Sequence, residues 1–272
     1  GLNCGGHAFA TDGLLMGPIL AEFRDNRQEL IDQTSEVLFQ ALERDERIMP
    51  EKKLDLKITA QGGVGTSIEQ SFLVDYYKLD SIGWGTPFLL VPEATTVDDK
   101  TREQLKKATE NDLYLSNVSP LGVPFNNLRN NSKDIEKLEK INDGKPGSNC
   151  PRRFLALSSE YGDKGICTAS RQFQKTKIKE MDGNSSINFE KVVDKTCLCM
   201  GLAAAAVVNY GIENSESKTV SICPGPNLAY FSKYMSLKEI SSQIYGMSKN
   251  LARLDRPHMF MKELDLYINY IS

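Results

Sequence analysis

The chain has 272 residues, 40% of them hydrophobic and 25% charged, with a formal net charge of -3. That is the make-up of a globular protein of one large or two ordinary domains, without the basic stripe that nucleic-acid binding needs. The longest apolar run, Leu202 to Val208, is far too short to cross a bilayer. No signal-peptide pattern is visible, so the six cysteines are expected as reduced thiols of a cytoplasmic protein.

The first residues, Gly1-Leu2-Asn3-Cys4-Gly5-Gly6-His7, place a glycine pair with no element ahead of it. The sequence is therefore expected to be the C-terminal part of a longer polypeptide. Residues 17–47 carry apolar positions at three- and four-residue spacings and predict a long helix or helix pair. Leu54 to Ala60 reads as a strand delivering the turn Gly62-Gly63. Thr66 to Tyr77 follows as a helix, with Thr66 or Ser67 as N-cap and Glu69 in the first turn. Asp80 to Trp84 is a second strand ending at Gly85-Thr86, which completes a βαβ unit.

Asp98 or Asp99 should cap a polar helix running to Asn111, and Lys133 to Ile141 a charged one. The stretch Asp143 to Asn149 is linker-like, and the domain boundary is expected there, between 144 and 145. Beyond it a helix is expected from Cys197 through Ala206, with a strand at Val220 to Ile222. A capping box at Ser236 to Glu239 opens a further helix, and a final one carries Pro257 at its first position.

Gln61-Gly62-Gly63-Val64-Gly65-Thr66 joins a strand to a helix N-terminus, and Gly85-Thr86 closes the next strand in the same style. Glycine lets backbone N–H groups approach an anion, and a helix start adds partial positive charge. In (β/α)8 barrels the loops after strands 7 and 8 commonly build one phosphate site together. His7 projects from a glycine loop and titrates near neutral pH, so it is the candidate base. His258, beside Pro257, reads as a structural helix-start residue.

These segments resemble the nitronate monooxygenases, formerly called 2-nitropropane dioxygenases. Gly1 to His7 is similar to their Gly-x-Glu-Ala-Gly-Gly-His, and Ala60 to Gly65 to Ala-Ala-Gly-Gly-Ile-x. Gly85-Thr86-Pro87-Phe88 with Glu93-Ala94 is similar to Gly-Thr-Arg-Phe and a later Glu-Ala. Gly122 to Asn130 is similar to Gly-Arg-Pro-Ala-Arg-x-x-Arg-Asn. The resemblance covers residues 1–130 and departs from the family at Asn3-Cys4, Pro87 and Asn126. It implies an α/β fold: the C-terminal part of an FMN-binding (β/α)8 TIM barrel, entered at the end of strand 6, over residues 1–144. Residues 145–272 would be an appended, helix-rich, cysteine-containing α/β domain.

FMN would then be held by Gly5, Gly6, Gln61, Gly62, Gly63, Gly85 and Thr86, with His7 as the catalytic residue acting on a small-molecule substrate. Flavin-dependent enoyl-thioester reductases share the Gly-Gly-His segment, so enoyl reduction stands beside the nitronate reaction. A barrel that holds a phosphorylated ligand without chemistry is the alternative outside enzymes. Neither a nucleic-acid nor a membrane partner is expected.

Cys150, Cys167, Cys197, Cys199 and Cys223 all lie in the second half. Cys150 and Cys223 each precede proline, a step that recurs at iron–sulfur ligands. An iron–sulfur cluster, a zinc ion and plain apolar packing are the three readings of this set. At least three of the five are expected to cluster on one side. Arg152-Arg153, and Arg171 with Lys175 and Lys177, read as solvated faces.

Overall fold

The computed structural model describes residues 15–52, 55, 57–181, 188–212 and 218–271. Gly5, Gly6 and His7, on which the cofactor and catalytic expectations partly rest, lie outside the described residues. The chain is mixed α/β. In order it forms α1 (Met16–Asp25), α2 (Arg27–Arg44), β1 (Thr59–Gln61), α3 (Ser67–Tyr77), β2 (Ser81–Gly83), α4 (Asp99–Lys107), β3 (Leu113–Ser116), β4 (Phe125–Leu128), α5 (Ser132–Asn142), α6 (Arg171–Met181), α7 (Phe189–Val193), α8 (Leu198–Asn209), α9 (Leu237–Ile244) and α10 (Met259–Ile271). Among the described helices none is long and apolar enough to cross a membrane.

The described residues form two compact units, 85–240 and 15–84 with 241–271. The boundary expected between 144 and 145 falls inside the first of these. In the second unit β1 and β2 pair in parallel, with Thr59 opposite Ser81 and Gln61 opposite Gly83. A parallel pair needs a crossover, and α3 supplies it. Its core gathers Leu20, Val64, Leu73, Tyr77 and Leu79, with Ile58, Ile82, Trp84, Met259 and Phe260 packed around them. The helix pair expected over 17–47 is α1 and α2, broken at Asn26.

In the 85–240 unit β3 and β4 pair antiparallel, Leu113 opposite Leu128 and Ser116 opposite Phe125. Sequence periodicity missed this pair, because four-residue strands interrupted by Pro120, Gly122 and Pro124 show little alternation. Asp98 caps α4 by accepting the Thr101 N–H at 3.0 Å. That helix ends at Lys107, short of the expected Asn111, where Thr109 and Asp112 cap a separate 3₁₀ turn. Asn131 caps α5 in the same manner, accepting the Asp134 N–H at 2.9 Å.

Three expectations are corrected. Val220 to Ile222 is not a strand: the Lys133 N–H donates to the Val220 carbonyl, and the Ser221 N–H to Gly201, so this extended segment bonds to helices. Pro257 does not begin the last helix, which starts at Met259. His258 makes that start, its carbonyl accepting the Lys262 N–H at 3.0 Å and its Nδ1 the Phe260 N–H at 3.3 Å. Of the basic residues expected on a solvated face, Lys175 is exposed and Lys177 pairs with Glu160 and Glu180 at the surface, whereas Arg171 opens α6 with its Nε buried.

Candidate functional site

The glycine turn after β1 is set by the strand register. Because β1 and β2 run parallel, both end at the same edge, and the Gly62 N–H reaches the Gly83 carbonyl at 3.4 Å. Gly62 and Gly63 have φ of 101° and 72°, backbone that only glycine adopts without strain. Gly83 is required for a different reason. A Cβ there would stand 2.6 Å from Gln61 Cγ, so the Gln61 side chain lies directly over the strand.

The helix side of the turn is occupied by a carboxylate of the chain itself. Thr66 Oγ1 accepts the Glu69 N–H at 3.2 Å, and Glu69 Oε2 accepts the N–H groups of Gly65 at 2.9 Å and Thr66 at 3.2 Å. Glu69 Oε1 takes the Met259 N–H and pairs with Arg256 Nη1, both at 2.7 Å. Arg256 Nη2 donates to the Gly63 carbonyl at 2.8 Å. Gly65 has no room for a side chain, since a Cβ would meet Arg256 Nε at 2.6 Å. Gln243 closes the arrangement, donating to the Gly65 carbonyl and accepting the Leu251 N–H.

Both members of the ion pair are almost fully buried, at 2% and 4% side-chain exposure. Burial by itself would raise the Glu69 pKa. The Arg256 guanidinium and the Gly65 and Met259 N–H groups outweigh it, holding the carboxyl below its ordinary value. The capping box was legible in the sequence. Arg256 was not, since no local pattern announces a partner so far along the chain.

Gly85 and Thr86 belong to the 85–240 unit. Gly85 has φ of -114° and open space where a Cβ would go, so its backbone does not demand glycine. Thr86 is buried and opens a 3₁₀ turn, Thr86–Leu90. Its hydroxyl lies 2.6 Å from the place of a Cβ on Gly225, so a second turn, Gly225-Pro226, packs directly on it.

The five described cysteines are all free thiols in the same unit. The Ser148 N–H donates to the Ala169 carbonyl and the Arg171 N–H to that of Ser148, which brings the segments bearing Cys150 and Cys167 together. These two line one cavity of about 380 Å³ with Arg153, Tyr161 and Ser170. Burial pushes the Cys167 thiol up to about 12. The Ala169 N–H opposes that shift, while the charges of Cys150, Cys197 and Cys199 reinforce it. The Cys199 thiol is raised by burial and by Cys197 and Cys150, against N–H donation from its own backbone and from Leu155. Cys223 packs with Val118, Phe125 and Leu198, the residue between Cys197 and Cys199. Among the described residues no three of His, Cys, Asp and Glu are placed to hold a metal ion.

No protein-family model and no curated protein matches the sequence. Among solved structures, the chain is similar to the enoyl reductase domain of MlnA from the macrolactin biosynthesis cluster of Bacillus amyloliquefaciens. The identity is 15% and the TM-score 0.39, over 97% of this chain and 56% of that one. FabK from Thermotoga maritima gives 15% identity and a TM-score of 0.36, over 80% of this chain and 48% of that one. The chain thus spans about half the length of the structures it matches.

Proposed function

We propose that this chain is the phosphate-binding part of an FMN-dependent oxidoreductase of the nitronate monooxygenase-like kind. The observation that carries the reading is the β1–α3–β2 unit. Its two parallel strands end side by side, and the first delivers two consecutive glycines of positive φ. In this reading β1 and β2 are neighbouring strands of a (β/α)8 barrel that other strands complete.

The phosphate is held at the Gly62-Gly63 turn, on the Gly63 side, since the Gly62 N–H already reaches the Gly83 carbonyl. The donors of Gly65 and Thr66 are already committed to Glu69, so the grip sits on the strand side of the turn. Gln61 stiffens that edge by lying over Gly83. FMN, when bound, supplies the electron-accepting centre. The resemblance would add Gly5 and Gly6 as flavin-contacting residues and His7 as the group that handles the substrate proton.

Titration of the purified chain, in its full polypeptide, with FMN tests the reading through flavin fluorescence quenching. Saturable binding is expected, and Gly63→Val should weaken it about tenfold or more, since a β-branched residue at φ 72° costs on the order of 1–2 kcal/mol. Absence of flavin binding by the parent protein would remove the proposal. His7→Ala should retain flavin while turnover falls by roughly 10²–10⁴-fold if the imidazole transfers a proton.

A further inference from the structure

The glycine turn is gripped from a distant part of the chain. Arg256 Nη2 donates to the Gly63 carbonyl at 2.8 Å, and the buried Gln243 donates to the Gly65 carbonyl. The carbonyls of both glycines, the ends of the peptide that repel an anion, are thus bonded to side-chain donors. A Cβ on Gly65 would meet Arg256 Nε at 2.6 Å, and one on Gly63 would stand 3.7 Å from Met259 Cε. The guanidinium therefore lies along the turn, with the first residue of α10 beside it. Gln70 fastens the same distant segment to α3. It donates to the Ile244 carbonyl at 3.1 Å and accepts the Trp84 indole N–H at 2.7 Å.

Charge gives this grip a second consequence. The Glu69 side chain, 2% exposed, sets a full negative charge on the N–H groups of Gly65 and Thr66. A phosphate monoester carries roughly two negative charges near neutral pH. Held at Gly63, it would be repelled by that carboxylate across an interior that screens poorly. Arg256, 4% exposed, cancels the carboxylate and at the same time bonds the residue at which the phosphate sits. The nearby Arg253–Asp255 pair has no such influence, because at 49% and 58% exposure solvent screens it. Glu69 and Arg256 make the turn electrically neutral only as a pair. Removing either one changes the charge beside the anion site, with opposite signs.

We propose that Glu69 and Arg256 are positioning residues that set how strongly the Gly63 turn prefers a phosphorylated ligand over its unphosphorylated counterpart. Neither touches the ligand. Arg256 acts through the Gly63 carbonyl and by neutralising Glu69, and Glu69 acts through the Gly65 and Thr66 N–H groups that begin α3. The inference rests on the flavin-phosphate reading of this same turn, and every residue it uses lies in the 15–84/241–271 unit.

The test compares the dissociation constants of FMN and riboflavin for the full polypeptide, read by flavin fluorescence quenching. The two ligands share the ring system, so the ratio of their constants isolates the phosphate. Arg256→Met should lower the preference for FMN about tenfold, and Glu69→Gln, which leaves the cation, should raise it about tenfold. The double variant should return the ratio to within about twofold of wild type. A pair that only braced the loop would weaken both ligands together and leave the ratio fixed in every variant. Circular dichroism identifies the folded variants, and if Arg256→Met does not fold, the rise in Glu69→Gln decides the matter. An unchanged ratio in the folded variants, or shifts of one sign in both single variants, would overturn the inference and leave the flavin reading standing. A wild type that binds FMN no better than riboflavin would remove the phosphate site, and one that binds neither would remove the flavin reading as well.

Discussion

The glycine turn of the 15–84/241–271 unit and the cysteine neighbourhood of the 85–240 unit solve one problem in opposite ways. Each must hold irregular backbone in place next to polar groups. The turn does so with full charges: Glu69 and Arg256 bury a carboxylate and a guanidinium, and among them the groups satisfy Gly63, Gly65, Thr66 and Met259. The cysteine region relies on close approach at Gly147 to backbone and at Gly201 to the Ser221 side chain, on the neutral amide of Gln174, and on single cations, Arg153 and Lys195, that donate to backbone carbonyls without forming a buried ion pair. A buried ion pair is costly to break because the survivor is left charged in a poor solvent, whereas a neutral tie loses only its hydrogen bonds.

That contrast can be broken most directly at Arg256. Arg256→Met leaves Glu69 buried and unpaired, and a loss of about 3–5 kcal/mol is expected in urea unfolding. Adding Glu69→Gln should recover a large part of it, and a double variant no better than the single one would deny the pair its central place.

The corresponding test in the other unit is Gly147→Ala. Overpacking against the Arg171 backbone should cost about 1–3 kcal/mol, with roughly 1–2 kcal/mol more for the φ of 81°. Native alkylation of Cys167 should accelerate at the same time. Unchanged stability and thiol reactivity would mean that this approach does not hold the Cys150 and Cys167 segments together.

Thr66→Ala removes only the capping hydroxyl and should cost about 1 kcal/mol, read as a shift of the unfolding midpoint.

The smallest effect is a difference in sign with pH. Glu69 has a folded pKa below its ordinary 4.5, so its contribution is present above that pH and is lost as the pH falls through the folded value. Asp134 runs the other way. Burial raises its pKa above 3.8, more than the nearby Lys137, Asn127 and Asn131 lower it, so this group penalises the folded state as the pH rises through that value. Between about pH 5 and 3, Glu69→Gln should flatten the acid loss of stability and Asp134→Asn should steepen it. The same slope in both variants would remove the contrast.

Much of the local structure was legible before any coordinates. Capping boxes at Thr66/Glu69 and Ser236/Glu239, the cap at Asp98 and the glycine pair after a strand are patterns of a few residues, and the physics that fixes them is equally local. The βαβ order followed from strand, turn and helix signals within 25 residues, roughly the span a crossover needs. Extended segments were harder. Val220 to Ile222 has strand composition, but its N–H and carbonyl partners lie on α5 and α8, and no sequence window contains them.

The sequence by itself determined where helices begin, which glycines the turn requires and which residue types are available for chemistry. Only the tertiary structure decided which of those groups meet. It put Arg256 on Glu69, so that part of an anion-ready turn is filled by the chain's own carboxylate. It also brought Cys150 and Cys167 to one cavity and packed Cys223 against Val118, Phe125 and Leu198. Backbone hydrogen bonding and side-chain capping act over three or four residues and leave their mark in sequence. Burial, charge pairing and thiol proximity depend on which distant segments share a core, and that is settled when the chain packs.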